Sequence, residues 1–196
     1  MKICLFQGTF NPIHNAHLRI AKYALKYCDV DKILFIPAYK PPHKCEGNIL
    51  PIHRLNMVKA AIKSIPQFEV SDIEYKRSDK SYTYVTLCEL HKLYQPDNRF
   101  KFLIGTDAFK HIESWYESDK LKKLVEFILF SRDKNFDKEY FDMLKSKGYD
   151  YTYMPLEFLD ISSTEIRNNV KLNKNINGLV PKEVEDYIKK NDLYKN

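Results

Sequence analysis

The chain is poor in the residues that mark the simpler alternatives to a folded domain. Only four of its 196 residues are cysteine, namely Cys4, Cys28, Cys45 and Cys88, and no C-x-x-C pair occurs. That spacing argues against a disulfide scaffold at this length and against a four-cysteine zinc site. Reduced thiols in a cytoplasmic protein fit it better. Only five glycines are present, and there is no low-complexity tract, internal repeat or clean domain linker. Apolar runs such as Ile33–Ile36 and Phe127–Phe130 fall far short of the roughly 20 residues of a membrane helix. The apolar opening Ile3–Phe6 is too short for a signal peptide and runs straight into a polar turn.

Hydrophobic residues make up 44% and charged residues 30%, the balance of an ordinary globular protein. The length suits one domain, 1–196, able to close a core without staples. Thirty-two basic and 26 acidic residues give a net charge of +6, and 14% of residues are aromatic. Those values alone are compatible with RNA binding. However, lysines and acids are interspersed, as in Asp119–Lys123 and Glu183–Lys190, and no basic run reaches five or six like charges. A modest pull on an anionic small molecule fits equally well. Neither nucleic acid nor a membrane is expected as a partner, and nothing in the residues sets an oligomeric state.

Apolar runs and helical stretches alternate along the length. Ile3–Phe6, Ile33–Pro37, Phe68–Val70, Phe100–Ile104, Phe127–Phe130 and Tyr151–Met154 read as strands. Ala16–Tyr27 reads as a helix, with Leu18, Ala21, Ala24 and Leu25 on one face. Leu55, Val58, Ala61, Ile62 and Ile65 mark a second helix, and Thr83–Leu93 a third. Leu121–Val125 closes another, Phe136–Lys147 follows, and Thr164–Val170 and Val184–Ile188 are terminal helices. Ala38–Pro51 is a loop holding three prolines, and Lys171–Gly178 is an asparagine- and lysine-rich surface loop. This order predicts an α/β fold, Rossmann-like, with a parallel sheet and helices on both faces.

In open α/β sheets ligands sit at the carboxyl ends of strands, near a topological switch point. Gly8 and Gly105 both end strands, where glycine permits a positive φ or a close approach of backbone to ligand. The first strand end runs Gln7-Gly8-Thr9-Phe10-Asn11-Pro12-Ile13-His14-Asn15-Ala16-His17. A glycine turn entering a helix N-terminus is an anion site. His14 and His17 lie three apart, on one face of the first helical turn. They can donate to phosphate oxygens, bind zinc if a third ligand exists, or simply pack together. Neither G-x-G-x-x-G nor G-x-x-x-x-G-K-[ST] is present. Near the other end, Ile161-Ser162-Ser163-Thr164-Glu165-Ile166-Arg167 is first a helix cap. Its hydroxyls and arginine also suit a second phosphate clamp.

The segment Gly8–His17 resembles G-x-F-D-P-x-H-x-G-H, the signature of the nucleotidylyltransferase superfamily, and Ile161–Arg167 resembles its I-S-S-T-x-I-R partner. More narrowly, the chain is similar to the bacterial-type nicotinate-nucleotide adenylyltransferases. Pro41-Pro42-His43-Lys44, Ser81–Leu87, Ile104–Asp107, Ser114–Tyr116, Val180–Ile188 and Asn191–Tyr194 extend the likeness over essentially the whole chain. Four positions depart from the pattern. Gln7 stands where a glycine is usual, Asn11 and Val85 where aspartates are common, and Ala16 where H-x-G-H has glycine.

The resemblance implies adenylyl transfer from ATP, with Mg²⁺ held mainly by the ATP phosphates, to nicotinate mononucleotide. It implies that Gly8, Thr9 and Phe10 offer backbone to ATP, and that His14 and His17 bind its phosphates. Ser163, Thr164 and Arg167 would hold the β- and γ-phosphates. Gly105 and Asp107 would meet the adenosine. Lys44 would close a loop over the phosphates. Trp115, the one tryptophan, would stack on the pyridine ring, and without the resemblance it reads equally as half-buried filler. Thr83 and the Tyr116 backbone would read the nicotinate carboxylate. No serine, cysteine or lysine nucleophile with a paired base stands near a strand end, which suits a direct transfer. The alternatives are a sibling transferase using nicotinamide mononucleotide or another phosphate acceptor, and a non-catalytic nucleotide- or RNA-binding protein.

Overall fold

Strands whose residues are nearly all apolar must be covered on both faces, and that is how this chain folds. A computed structural model describes residues 1–41, 49–77, 80–96, 98–131, 136–156 and 159–195. Lys44 and Cys45 therefore lie outside the described residues. In chain order the elements are β1 (Ile3–Gly8), α1 (Asn15–Tyr27), β2 (Lys32–Pro37), α2 (Pro51–Ile62), β3 (Phe68–Val70), α3 (Thr83–Tyr94) and β4 (Phe100–Gly105). Then come α4 (Thr106–Phe109), α5 (Ser118–Leu121), β5 (Val125–Phe130), α6 (Lys138–Ser146), β6 (Tyr151–Met154), α7 (Ser163–Lys171) and α8 (Lys182–Lys190). The six strands form one sheet in the order β3-β2-β1-β4-β5-β6. Every pairing in it is parallel.

Alternate residues of each strand feed two cores. Cys4 and Phe6 of β1 join Ile33 and Phe35 under α1, α2, α7 and α8. Ile3 and Leu5 point the other way, with Phe102, Phe127 and Leu129, under α3 and α6. The chain moves outward from β1 to β3, then returns to place β4 on the other side of β1. The carboxyl ends of β1 and β4 therefore diverge into a crevice, the switch point of this sheet.

The expected parallel sheet is observed, with one correction to the helices. Leu121 and Val125 do not share a helix: α5 ends at Leu121, and Val125 opens β5. Both side chains are fully buried, and their i, i+4 spacing imitates a helical face. In fact Val125 alternates with Phe127 and Leu129, the period of a strand. Between β4 and β5 the chain makes only single turns, α4, a 3₁₀ turn at Ile112–Ser114, and α5.

Helix ends follow local chemistry. Pro51 opens α2 as its first residue, where its missing N–H is no loss. Asp137 caps α6 by accepting the Tyr140 N–H at 3.1 Å. Phe136 then stacks on Phe141 across the cap, with ring centroids 4.9 Å apart, as a hydrophobic staple. Ser162 caps α7 by accepting the Glu165 N–H at 3.1 Å. No helix among the described residues is long and apolar enough to cross a membrane.

Candidate active site

A cleft of about 740 Å³ opens at the switch point, within the roughly 300–1,000 Å³ of small-molecule sites. One wall is the β1–α1 turn, with Gly8, Thr9, His14 and His17. The opposite wall carries Thr83 from the start of α3 and Gly105 and Ala108 after β4, then Trp115 and Tyr116.

The β1–α1 turn is built around an inward aromatic ring. Phe10 adopts φ 49°, a left-handed conformation that a bulky residue holds only when its surroundings enforce it. Its side chain is buried, edge-on to Phe6 at 5.5 Å and to His17 at 5.1 Å. A Cβ on Gly8 would lie 3.0 Å from Phe10 Cζ, so any larger residue there would press on the Phe10 ring. Neither Gly8 nor Gly105 has a positive φ. At Gly105 an added Cβ would meet only Phe130, at an ordinary 3.5 Å.

His14 is the N-cap of α1 and His17 its third residue. Their rings stack at 3.7 Å with 29° between planes. The His14 backbone N–H donates to His17 Nδ1 at 3.3 Å. Nδ1 therefore acts as acceptor, and the neutral ring carries its proton on Nε2. His14 is buried while His17 is partly exposed to the cleft. Among the described residues no three His, Cys, Asp or Glu side chains are grouped as metal ligands.

The C-terminal segment grips the same turn from behind. Arg167 donates to the Asn11 carbonyl at 3.0 Å and to Thr164 Oγ1 at 3.2 Å. Ser163 donates to the Pro12 carbonyl at 2.9 Å. Tyr194 donates to Asn11 Oδ1 at 2.7 Å, and the Asn15 N–H reaches the Leu179 carbonyl at 2.9 Å. Ser163, Thr164 and Arg167 thus stand beside the His14–His17 turn but do not line the cleft wall. Asp107 lies on the exposed first turn of α4, while Gly105 and Ala108 face the cleft. Ala16 does line the cleft, where a glycine would leave more space.

Arg54, Glu74 and His111 are not anticipated by the sequence. Arg54, almost fully buried, donates to the Thr9 carbonyl at 3.0 Å, to the Tyr39 carbonyl at 3.1 Å and to the Ala38 carbonyl. It ties the β1–α1 turn to the residues that follow β2. Gln7 and the buried Glu74 bridge toward Thr83, as described below. His111 and Ser114 complete the cleft wall. Arg54 and Glu74 carry no local signal, because their partners come from distant segments. Trp115 meets Phe102 edge-on at 6.4 Å. Tyr116 lies 4.7 Å from the Tyr82 ring, 31° from parallel.

The model of the cytidylyltransferase-like family matches residues 5–169. A protein of Caldicellulosiruptor bescii described as a probable nicotinate-nucleotide adenylyltransferase is 39% identical over 198 residues, covering 100% of both chains. One of Fusobacterium nucleatum with the same description is 42% identical over 193 residues, covering 97% of this chain and 98% of the other. The solved structure of Plasmodium falciparum nicotinic acid mononucleotide adenylyltransferase complexed with NaAD superposes with a TM-score of 0.81 at 26% identity, covering 98% of this chain and 97% of that one. Fold, paired histidines and full-length likeness agree: the chain belongs to the cytidylyltransferase-like family and, within it, to the nicotinate-nucleotide adenylyltransferases.

Proposed function

We propose that the protein transfers the adenylyl group of ATP to nicotinate mononucleotide, as a cytoplasmic enzyme of NAD biosynthesis. The observation that carries this reading is the stacked His14–His17 pair, with the His17 proton on Nε2, at the mouth of a cleft that runs on to Trp115. An oxygen of the mononucleotide 5′-phosphate bonds to the α-phosphorus of ATP. The bond from that phosphorus to the α–β bridging oxygen breaks, and pyrophosphate leaves. The attacking oxygen is already anionic, so no general base is needed. Positioning and charge neutralisation suffice.

The residues suit these roles. His17 donates nearest the reacting phosphate, with His14 beside it. Gly8, Thr9 and Phe10 present backbone to ATP, and Gly105 and Asp107 meet the adenosine. Ser163, Thr164 and Arg167 take the β- and γ-phosphates; Lys44 lies outside the described residues. Trp115 stacks on the pyridine ring, while Thr83 and the Tyr116 backbone face the substituent on that ring. Mg²⁺ enters as part of the Mg–ATP substrate. The imidazoles, hydroxyls and N–H groups complement anionic oxygens, so the phosphates hold the ion.

The test is pyrophosphate release from Mg–ATP with nicotinate mononucleotide and nicotinamide mononucleotide in parallel. Release with the acid is the expected result. Release with neither removes this reading and favours another phosphate acceptor.

A further inference from the structure

Gln7 reaches from β1 into the cleft wall and makes two side-chain hydrogen bonds. Its Nε2 donates to Glu74 Oε1 at 2.6 Å, and its Oε1 accepts the Thr83 hydroxyl at 2.8 Å. Glu74 is only 1% exposed. Its Oε2 accepts the Tyr39 N–H at 3.1 Å, and its Oε1 also accepts the Thr86 hydroxyl at 2.7 Å. A carboxylate only accepts, so the amide nitrogen of Gln7 must face Glu74 and its oxygen must face Thr83. The direction of the next bond is then fixed: Thr83 gives its one proton to Gln7. What Thr83 Oγ1 has left for a ligand is lone pairs. Thr83 lines the cleft with Trp115 and Tyr116, and its neighbour Tyr82 packs on Tyr116.

We propose that Gln7 is a specificity-determining positioning residue: by taking the Thr83 proton it turns that hydroxyl into an acceptor, so the cleft admits a mononucleotide bearing a carboxamide beside one bearing a carboxylate. The amide NH₂ donates to Thr83 Oγ1, while the carboxylate turns to the Tyr116 backbone. This rests on the adenylyl-transfer reading above, and wild-type turnover tests that reading separately.

The experiment measures kcat/KM for nicotinate mononucleotide and nicotinamide mononucleotide at fixed Mg–ATP, in wild type, Thr83→Val, Gln7→Leu and the double variant. Thr83→Val keeps shape and removes the acceptor. It lowers kcat/KM for the amide by about tenfold more than for the acid, the scale of one hydrogen bond. Gln7→Leu frees the Thr83 proton to donate to the carboxylate, so the acid-to-amide ratio again rises by about tenfold. In the double variant Gln7→Leu adds nothing, because the hydroxyl it controls is gone. A fall in acid turnover with the amide spared in Thr83→Val would show the hydroxyl donating to the carboxylate, and would overturn the proposal. So would a Gln7→Leu effect that persists in the Thr83→Val background. Thr83→Val alone decides the sign if Gln7→Leu does not fold.

Discussion

The guanidinium of Arg167 donates to the carbonyl oxygen of Asn11 at 3.0 Å, across 156 positions of sequence. A residue of α7 thereby holds the turn that carries His14 and His17. On the proposed reading, the same cation also serves the ATP phosphates. Arg167→Lys keeps the charge but loses the planar fork that reaches Asn11 and Thr164 together. The expected result is a fall in kcat/KM for ATP of about tenfold to a hundredfold, the scale of a charge-assisted hydrogen bond. Steady-state kinetics with varied ATP checks it. Unchanged kinetics would leave Arg167 a purely structural strut.

On the proposed reading, His17 donates to charge that develops during transfer. Its Nδ1 is occupied by the His14 N–H, which leaves Nε2 as the ring's donor. His17→Ala removes that donor and leaves the turn anchored by Arg54, Ser163 and Arg167. We expect kcat to fall by about 10²–10³-fold, as for loss of one oriented donor at a transition state. ATP binding, read by calorimetry, should survive. Near-normal turnover would remove His17 from the chemistry.

Much of this was legible before the structure, for identifiable reasons. Strands buried on both faces show themselves as short apolar runs, and the Ser162 cap shows itself by residue type next to the hydroxyl- and arginine-bearing α7. The Leu121–Val125 helix misled because burial at i, i+4 fits a strand entrance as well as a helix. Glu74 lies between Ile73 and Tyr75 in a polar stretch and looks like a surface acid. It is buried because Gln7, Tyr39 and Thr86 arrive from three other segments to satisfy it. Arg54 is hidden in the same way: its carbonyl partners lie between 15 and 45 positions away. Local pattern cannot carry contacts of that reach.

Trp115 offers its ring to the cleft while its backbone N–H is fixed to the Ile112 carbonyl at 3.1 Å. The ring meets Phe102 edge-on and is half-buried against the same core cluster. The part that faces the cleft can stack on a flat ligand. Trp115→Ala should raise the KM for the mononucleotide by about tenfold or more, the scale of roughly 1.5 kcal/mol of aromatic stacking. The KM for ATP should move less than twofold. Equal effects on both substrates would make Trp115 a packing residue.

Tyr194 links stability to alkaline pH. Burial pushes its phenol well above the usual value of 10.0, with Arg167 and Arg54 opposing that shift less strongly. Its hydroxyl donates to Asn11 Oδ1 at 2.7 Å, so the native state requires the neutral phenol. In the unfolded chain the phenol ionises near pH 10. Folded-state pKa is raised, so its contribution is complete below about pH 10 and is lost as pH climbs toward the folded value. Tyr194→Phe keeps the ring and removes both the hydrogen bond and the titration. At pH 8 the variant should be less stable by about 1 kcal/mol, the net worth of one hydrogen bond. By pH 11 the unfolded wild type releases a proton that its native state keeps, which costs the wild type about 1.4 kcal/mol and cancels its advantage. Urea unfolding of both proteins from pH 8 to 11 should therefore show the two stabilities converging. Parallel curves would mean that Tyr194 does not hold its proton on folding.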